Sequence, residues 1–193
     1  ARLFETAVKL GFRLRVEADQ FEHGGAVPLA VEARAMAVSH LENSSAEDLA
    51  MLCASDTIAT LCPGPAFHLG TNRFAQARAL IDGGAAVALA TNFNPHTSPT
   101  CNMQMILSLA CSQLGMMPGE AISAATINGA HSLGCADRVG SLEHGKSADL
   151  LLLNVSDYRE MPYYFGVNSV HLTIKRGVVL YQEGRVESLP QEN

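Results

Sequence analysis

The sequence has no Cys-x-x-Cys pair, and its five cysteines, Cys53, Cys62, Cys101, Cys111 and Cys135, are odd in number. That pattern excludes a disulfide framework and a zinc ribbon, and a reducing cytoplasm is the expected compartment. No run of Lys or Arg occurs and the formal net charge is −6, so neither nucleic acid nor an anionic membrane is expected as a partner. No apolar stretch approaches the ~20 residues of a membrane span. No basic-then-apolar signal segment opens the chain. Low-complexity segments are absent. Charged residues are scarce, 17% against 48% hydrophobic, so much of the chain is expected to lie buried. The 193 residues suffice for one sizeable core. They start Ala1-Arg2-Leu3-Phe4, directly on a helical pattern and without Met, so they are expected to be part of a longer polypeptide.

What is present is a rhythm of short apolar runs with polar ends. Residues 1–10 have helical spacing closed by Gly11. Residues 12–18 alternate as a strand that ends in Glu17-Ala18-Asp19-Gln20. Gly24-Gly25 opens a helix to about Arg34, and residues 35–39 form a strand tipped by His40-Leu41-Glu42. Ser44-Ser45-Ala46-Glu47 reads as a capping box starting the next helix. Residues 57–62 are a strand broken by Pro63-Gly64-Pro65. Residues 74–82 are a helix stopped by Gly83-Gly84. The run 85–90 is a buried strand that opens abruptly into Thr91-Asn92-Phe93-Asn94-Pro95-His96-Thr97. Helices follow over 100–114 and 118–133.

The polar tips at Glu17, His40, Cys62 and Asn92 are 23, 22 and 30 residues apart. Strands alternating with helices at that pitch form right-handed βαβ units and a parallel sheet. Ligands bind outside the carboxyl ends of such strands, where these tips sit. A complete (β/α)₈ barrel takes roughly 200 to 250 residues or more, so about half of one is expected here. After Gly134 the texture changes. Residues 140–146 are turn-rich, 148–154 are a strongly apolar strand, and 170–175 and 178–181 flank a hairpin turn at Arg176-Gly177. The tail 188–193 is polar and expected to be loose. The fold class is therefore α/β: the second half of a barrel over residues 1–139, then strands of a small β-sandwich over 140–193.

Gly140-Ser141-Leu142-Glu143-His144-Gly145-Lys146-Ser147-Ala148-Asp149-Leu150 resembles the signature that joins barrel to β-sandwich in the amidohydrolase superfamily. Within it, the ordered set of motifs is most similar to the imidazolonepropionase family of histidine breakdown. That set comprises Glu17-Ala18-Asp19-Gln20 with Gly24-Gly25-Ala26, Ser39-His40-Leu41, Leu61-Cys62-Pro63-Gly64, Ala90 through Pro95, and Tyr163-Tyr164-Phe165-Gly166-Val167-Asn168. The resemblance covers essentially the whole chain and matches the C-terminal half of a typical member, barrel strands five to eight plus the closing β-domain.

The resemblance implies a hydrolase that opens the cyclic amide of 4-imidazolone-5-propanoate to N-formimidoyl-L-glutamate. It implies one zinc or iron ion per site, a small-molecule substrate and a homodimer. Two of the family's metal ligands form a His-x-His after an early strand, and nothing before Phe12 supplies it. Glu17 stands where the family has a ligand His, and Asn92 where it has a ligand Asp. His40 matches the catalytic histidine. Gln20 falls where the family has Glu, or in some members Gln, touching substrate, and is expected to be catalytic and substrate-binding. Asn94 and Thr97 match substrate-binding positions, and His96, expected to bind substrate with them, stands where Gly is commonest. A carboxylate still suits zinc or iron, whereas an amide oxygen is a neutral, weak ligand that accepts no proton.

Taken singly, Glu17 is a loop carboxylate and His40 a strand-tip histidine; their register with the family singles them out. His23, His68, His131, His144 and His171 show no metal-ligand spacing and are expected on the surface or satisfied in the core, with His68 the best exception. Met103, Met105, Ile106, Leu107 and Leu109 read as helix core. Pro162-Tyr163-Tyr164-Phe165 reads either as an exposed subunit contact or as packing. Two other functions stay open: a neighbouring hydrolase with another cyclic amide or amidine as substrate, and a catalytically impaired relative that keeps the fold.

Overall fold

The computed structural model describes residues 2–183 and the backbone of 185–186; the tail expected to be loose lies outside them. Four short strands, β1 (Arg15–Ala18), β2 (Ala37–His40), β3 (Ile58–Leu61) and β4 (Val87–Leu89), form one sheet in the order β1-β2-β3-β4. Every pair is parallel, as the alternating pattern requires. The crossovers contain α2 (Ala26–Glu32), α3 (Ala46–Cys53), α4 (Pro63–Leu69) and α5 (Ala77–Asp82), and α1 (Arg2–Lys9) precedes them. The chain continues through α6 (Met103–Gln113), α7 (Pro118–Ala125) and α8 (Ile127–Ser132). Among the described residues no helix is long and apolar enough to cross a membrane.

Successive strand residues point to opposite faces, and the packing shows both faces in use. Val38, Ala59, Leu61, Val87 and Leu89 join Val27, Leu52, Leu80, Ile106 and Leu109 of the helices in the main core. Ala37, Ile58 and Ala88 form a second, small cluster on the opposite face. One step nearer the carboxyl ends, that second face carries Glu17, Ser39, Thr60 and Ala88 in register. The polar row therefore leads directly to the strand tips.

Three local expectations are corrected. Pro63-Gly64-Pro65 ends the strand as expected but also starts α4, a helix not expected there; proline at the first turn loses no helical hydrogen bond. A Cβ at Gly64 would lie 2.6 Å from Ser98 Oγ, so only glycine lets this helix start approach the loop after β4. The helix expected over 118–133 splits at Thr126, where φ is −117° and ψ is −92°. Its hydroxyl donates to Ile122 O at 2.7 Å, a back-bond that bends helices. The capping box uses Ser45 and Asp48 rather than Ser44 and Glu47, because the Ser44 hydroxyl donates to Asp19 instead.

The C-terminal residues form an antiparallel sheet of β5 (Leu150–Leu153), β6 (Val170–Lys175), β7 (Val178–Gln182) and β8 (Arg185–Val186). Arg176 and Gly177 have φ of 51° and 78°, the positive pair that a two-residue hairpin turn demands. β5 is less buried than its apolar sequence suggests, with Leu151 54% and Leu152 46% exposed. The short α9 (Glu160–Tyr163) leaves Tyr163, Tyr164 and Phe165 exposed. The Gln104 amide of α6 donates to Asn168 Oδ1 and accepts from Ser169 N, both at 2.9 Å. That pairing ties the helical layer to the start of β6.

Asp149 anchors this sheet. It accepts from the Lys175 ammonium, from Arg176 N and from the Ser147 hydroxyl. The Lys175 contact leads in lowering its carboxyl from the ordinary 3.8 to about 2. A depressed carboxyl stabilises the fold above its unfolded value and loses that contribution as pH falls through its folded value. Asp149→Asn is therefore expected to destabilise the protein at neutral pH, with the difference from wild type vanishing between about pH 4 and pH 2. Urea midpoints of both proteins across that range check it.

Candidate active site

The carboxyl ends of the four parallel strands are drawn together by side chains and by backbone strain. Asp19, His40, Leu41 and Asn92 all have positive φ, at 57°, 82°, 74° and 49°. Asp, Asn and His enter this region more readily than most residues, but Leu does not, and non-glycine residues held there cost ~1–3 kcal/mol each. Strain of this kind persists only where the surroundings over-determine it. Here Leu41 N donates to Ala18 O at 3.0 Å and Asn43 N to Asp19 O at 2.9 Å. The Asn43 amide then donates to the carbonyls of Asp19 and Gln20. The turn after β2 is thus stitched to the turn after β1.

The strained turn aims His40. Its side chain is 1% exposed, and its two ring nitrogens face two different partners. Nδ1 lies 3.4 Å from Glu42 Oε1, and Nε2 lies 3.3 Å from Asn92 Nδ2. The expected catalytic histidine and Asn92, which stands where the family has a ligand Asp, are therefore in contact. Glu42, which the motif reading passes over, is the third member. Its only sequence signal is an acidic residue two positions beyond His40 in a sparsely charged chain.

Three buried polar atoms lack a partner among the described residues: Gln20 Nε2, Glu42 Oε2 and Thr60 Oγ1. Gln20 follows β1, Glu42 follows β2 and Thr60 lies in β3, so all three belong to one end of the sheet. A buried unpaired polar group costs ~1–3 kcal/mol, and native folds hold few of them, each with a cause such as a catalytic role, strain or a bound water or ion.

The other expected residues are placed differently. Asn94 and Thr97 bond each other, and Asn94 also bonds Asn92 O and the backbone N–H groups of His96 and Thr97. They build the loop after β4, leaving His96 exposed at its tip. Glu17 is exposed and makes no hydrogen bond with His40 or Asn92 among the described residues. His68 sits in the last turn of α4, exposed. The Cys62 thiol at the β3 end is pushed up to about 12, chiefly by burial and then by the Glu42 charge. It stays protonated and offers no nucleophile.

One grouping departs from expectation. His23 joins Asp19 and Asp48, and their ligand atoms lie within 4.8 Å of one another. These donor types suit a divalent ion. Both carboxylates are already engaged, however: Asp19 accepts from Gly24 N and Ser44 Oγ, and Asp48 from Ser45 N. His23 Nδ1 lies 3.3 Å from Asp48 Oδ2. The group ties the turn after β1 to the start of α3.

The metal that the family resemblance implies does not fit the donors this chain brings to its position. Zinc takes three or four Cys, His or carboxylate ligands. At the matching positions there are one exposed carboxylate, Glu17, and one neutral amide, Asn92, whose nitrogen is turned to His40. Among the described residues, no cluster of three metal-ligating side chains includes Glu17 or His40.

Residues 14–180 match the family model described as the amidohydrolase family. The chain is 44% identical over 185 residues to the imidazolonepropionase of Geobacillus kaustophilus, covering 96% of this chain and 43% of that protein. It is 45% identical over 179 residues to the imidazolonepropionase of Herpetosiphon aurantiacus, covering 93% and 42%. The chain thus spans less than half the length of these curated relatives. Among solved structures, an adenosine deaminase from Xanthomonas campestris with bound zinc superposes with a TM-score of 0.79 at 18% identity, covering 98% of this chain and 50% of that one. The atrazine chlorohydrolase of Arthrobacter aurescens, complexed with zinc, gives 0.73 at 18%, covering 95% and 47%. At that identity the likeness concerns the fold.

Proposed function

The chain belongs to the amidohydrolase family, and from that premise we propose that it is the C-terminal barrel segment and closing sheet of an imidazolonepropionase. The reaction is hydrolysis of the cyclic amide of 4-imidazolone-5-propanoate to N-formimidoyl-L-glutamate. The observation that carries this reading is His40, buried at a strained strand tip with one ring nitrogen on Glu42 and the other toward Asn92. It is supported by the imidazolonepropionase relatives at 44% and 45% identity. In this reading residues 1–139 are the barrel segment and 140–193 belong to the sandwich.

Ring opening adds one water across the amide. The water oxygen bonds the carbonyl carbon, the C–N bond breaks, and a proton moves to the departing ring nitrogen. His40 is the group placed to take and return that proton, a role worth roughly 10²–10⁴ in rate. Gln20, with its amide nitrogen buried and without a partner among the described residues, offers a donor to the bound ring. Asn94 and Thr97 shape the loop that bounds the site, and His96 lies on its rim. Whether zinc or iron serves in the intact protein turns on ligands beyond this chain, since Glu17 and Asn92 do not make a site by themselves. The exposed Tyr163 and Phe165 suit the contact of a homodimer.

A second reading, a catalytically impaired relative, is favoured by the Asn92 amide that caps His40 Nε2 where the family has a carboxylate. The intact protein is tested with 4-imidazolone-5-propanoate beside other cyclic amides and amidines. We expect N-formimidoyl-L-glutamate as the product, formed more slowly than a carboxylate at position 92 would permit. Preferred turnover of another ring would replace the substrate assignment, and no turnover of any would favour the impaired reading.

A further inference from the structure

Glu42 has a role that neither its family position nor its packing assigns. It lies outside every helix, caps none, and its side chain is 5% exposed. One carboxylate oxygen faces His40 Nδ1 at 3.4 Å, and the other is buried with no partner among the described residues. A carboxylate this buried is costly unless something uses its charge. The ring it faces supplies that use.

The two contacts of His40 agree on one proton position. A carboxylate oxygen only accepts, so the nitrogen facing Glu42 carries the hydrogen. An amide NH₂ only donates, so the nitrogen facing Asn92 presents its lone pair. We propose that Glu42 is a positioning residue: it fixes neutral His40 as the Nδ1–H tautomer and keeps the Nε2 lone pair directed at the mouth of the site. Orienting carboxylates of this kind set which ring nitrogen is free to act. Asn92 guards that lone pair at 3.3 Å, and a substrate-bound water displacing the amide would meet it as a base. The tautomer is inferred from the Glu42 oxygen at Nδ1 and the Asn92 amide nitrogen at Nε2. Only its use in turnover rests on the function proposed above.

The test needs no substrate. The intact protein is labelled with nitrogen-15 histidine, and long-range proton–nitrogen correlation reads the tautomer of each ring, with the His40 signals identified by their loss in His40→Gln. We expect wild-type His40 to show a protonated Nδ1 and a bare Nε2. Glu42→Ala should lower the Nδ1–H to Nε2–H population ratio several-fold, because a free imidazole favours the proton on Nε2. Glu42→Gln, which keeps the shape and one acceptor oxygen, should hold the wild-type tautomer as the majority. Wild-type His40 with its proton on Nε2 overturns the proposal, and that result is independent of whether Glu42→Ala folds. An unchanged ratio in folded Glu42→Ala overturns it equally. Either failure leaves the hydrolase reading to stand or fall on turnover.

Discussion

Replacing His40 by Gln is expected to lower turnover of 4-imidazolone-5-propanoate by ~10²–10⁴-fold, the range for loss of a positioned acid–base group. The fold should survive, because Gln fills most of the volume and can bond both Glu42 and Asn92. The loss should appear in kcat, with KM changing little, since the ring's task is proton transfer rather than holding the substrate. Steady-state kinetics on the intact protein, with urea midpoints as the control for folding, check this. A variant that keeps more than a tenth of the wild-type kcat would remove His40 from the chemistry.

The second large effect runs the other way. The double change Glu17→His and Asn92→Asp restores a histidine and a carboxylate at the two positions where the family has metal ligands. It also replaces the amide that faces His40 Nε2 at 3.3 Å with a group able to accept a proton. Metal analysis of purified intact protein should find near-stoichiometric zinc or iron in the double variant and clearly less in wild type. Turnover should rise by ~10²–10⁴-fold, the contribution of a general base. Equal metal content in the two proteins would mean that a carboxylate at 17 and an amide at 92 are adequate ligands after all.

Much of the fold was legible because its signals are local and repeated. The spacing of Glu17, His40 and Cys62 follows from one strand, one helix and one turn per unit, the wider gap to Asn92 holds both α4 and α5, and all four lie near the carboxyl ends of parallel strands. The hairpin at Arg176-Gly177 was legible from turn chemistry. What escaped depends on contacts between distant residues. Ser44 could not be assigned from its own neighbourhood, because its hydroxyl is claimed by Asp19, 25 positions earlier; the capping box slides by one residue as a result. The start of α4 at Pro63 rests on Gly64 passing close to Ser98, a contact no local pattern encodes.

The site divides in the same way. His40 and Asn92 were singled out by register, and the structure puts them in contact. Asn94 and Thr97 match the family's substrate-binding positions, and their polar atoms bond each other and the loop backbone. Nothing in the sequence distinguishes Glu42, a strand-tip carboxylate whose side chain is 5% exposed, from a solvated one. His23 lies exposed as expected, but its grouping with Asp19 and Asp48 forms only once the turn after β1 docks on α3.

The most direct test of the central claim is to incubate the intact protein with 4-imidazolone-5-propanoate in heavy-oxygen water and follow the product by mass spectrometry. The expected result is N-formimidoyl-L-glutamate carrying one heavy oxygen in its new carboxylate, formed faster than in the protein-free control and reduced to near that control in His40→Gln. Substrate that decays no faster than the control, or a His40→Gln protein as fast as wild type, would contradict it.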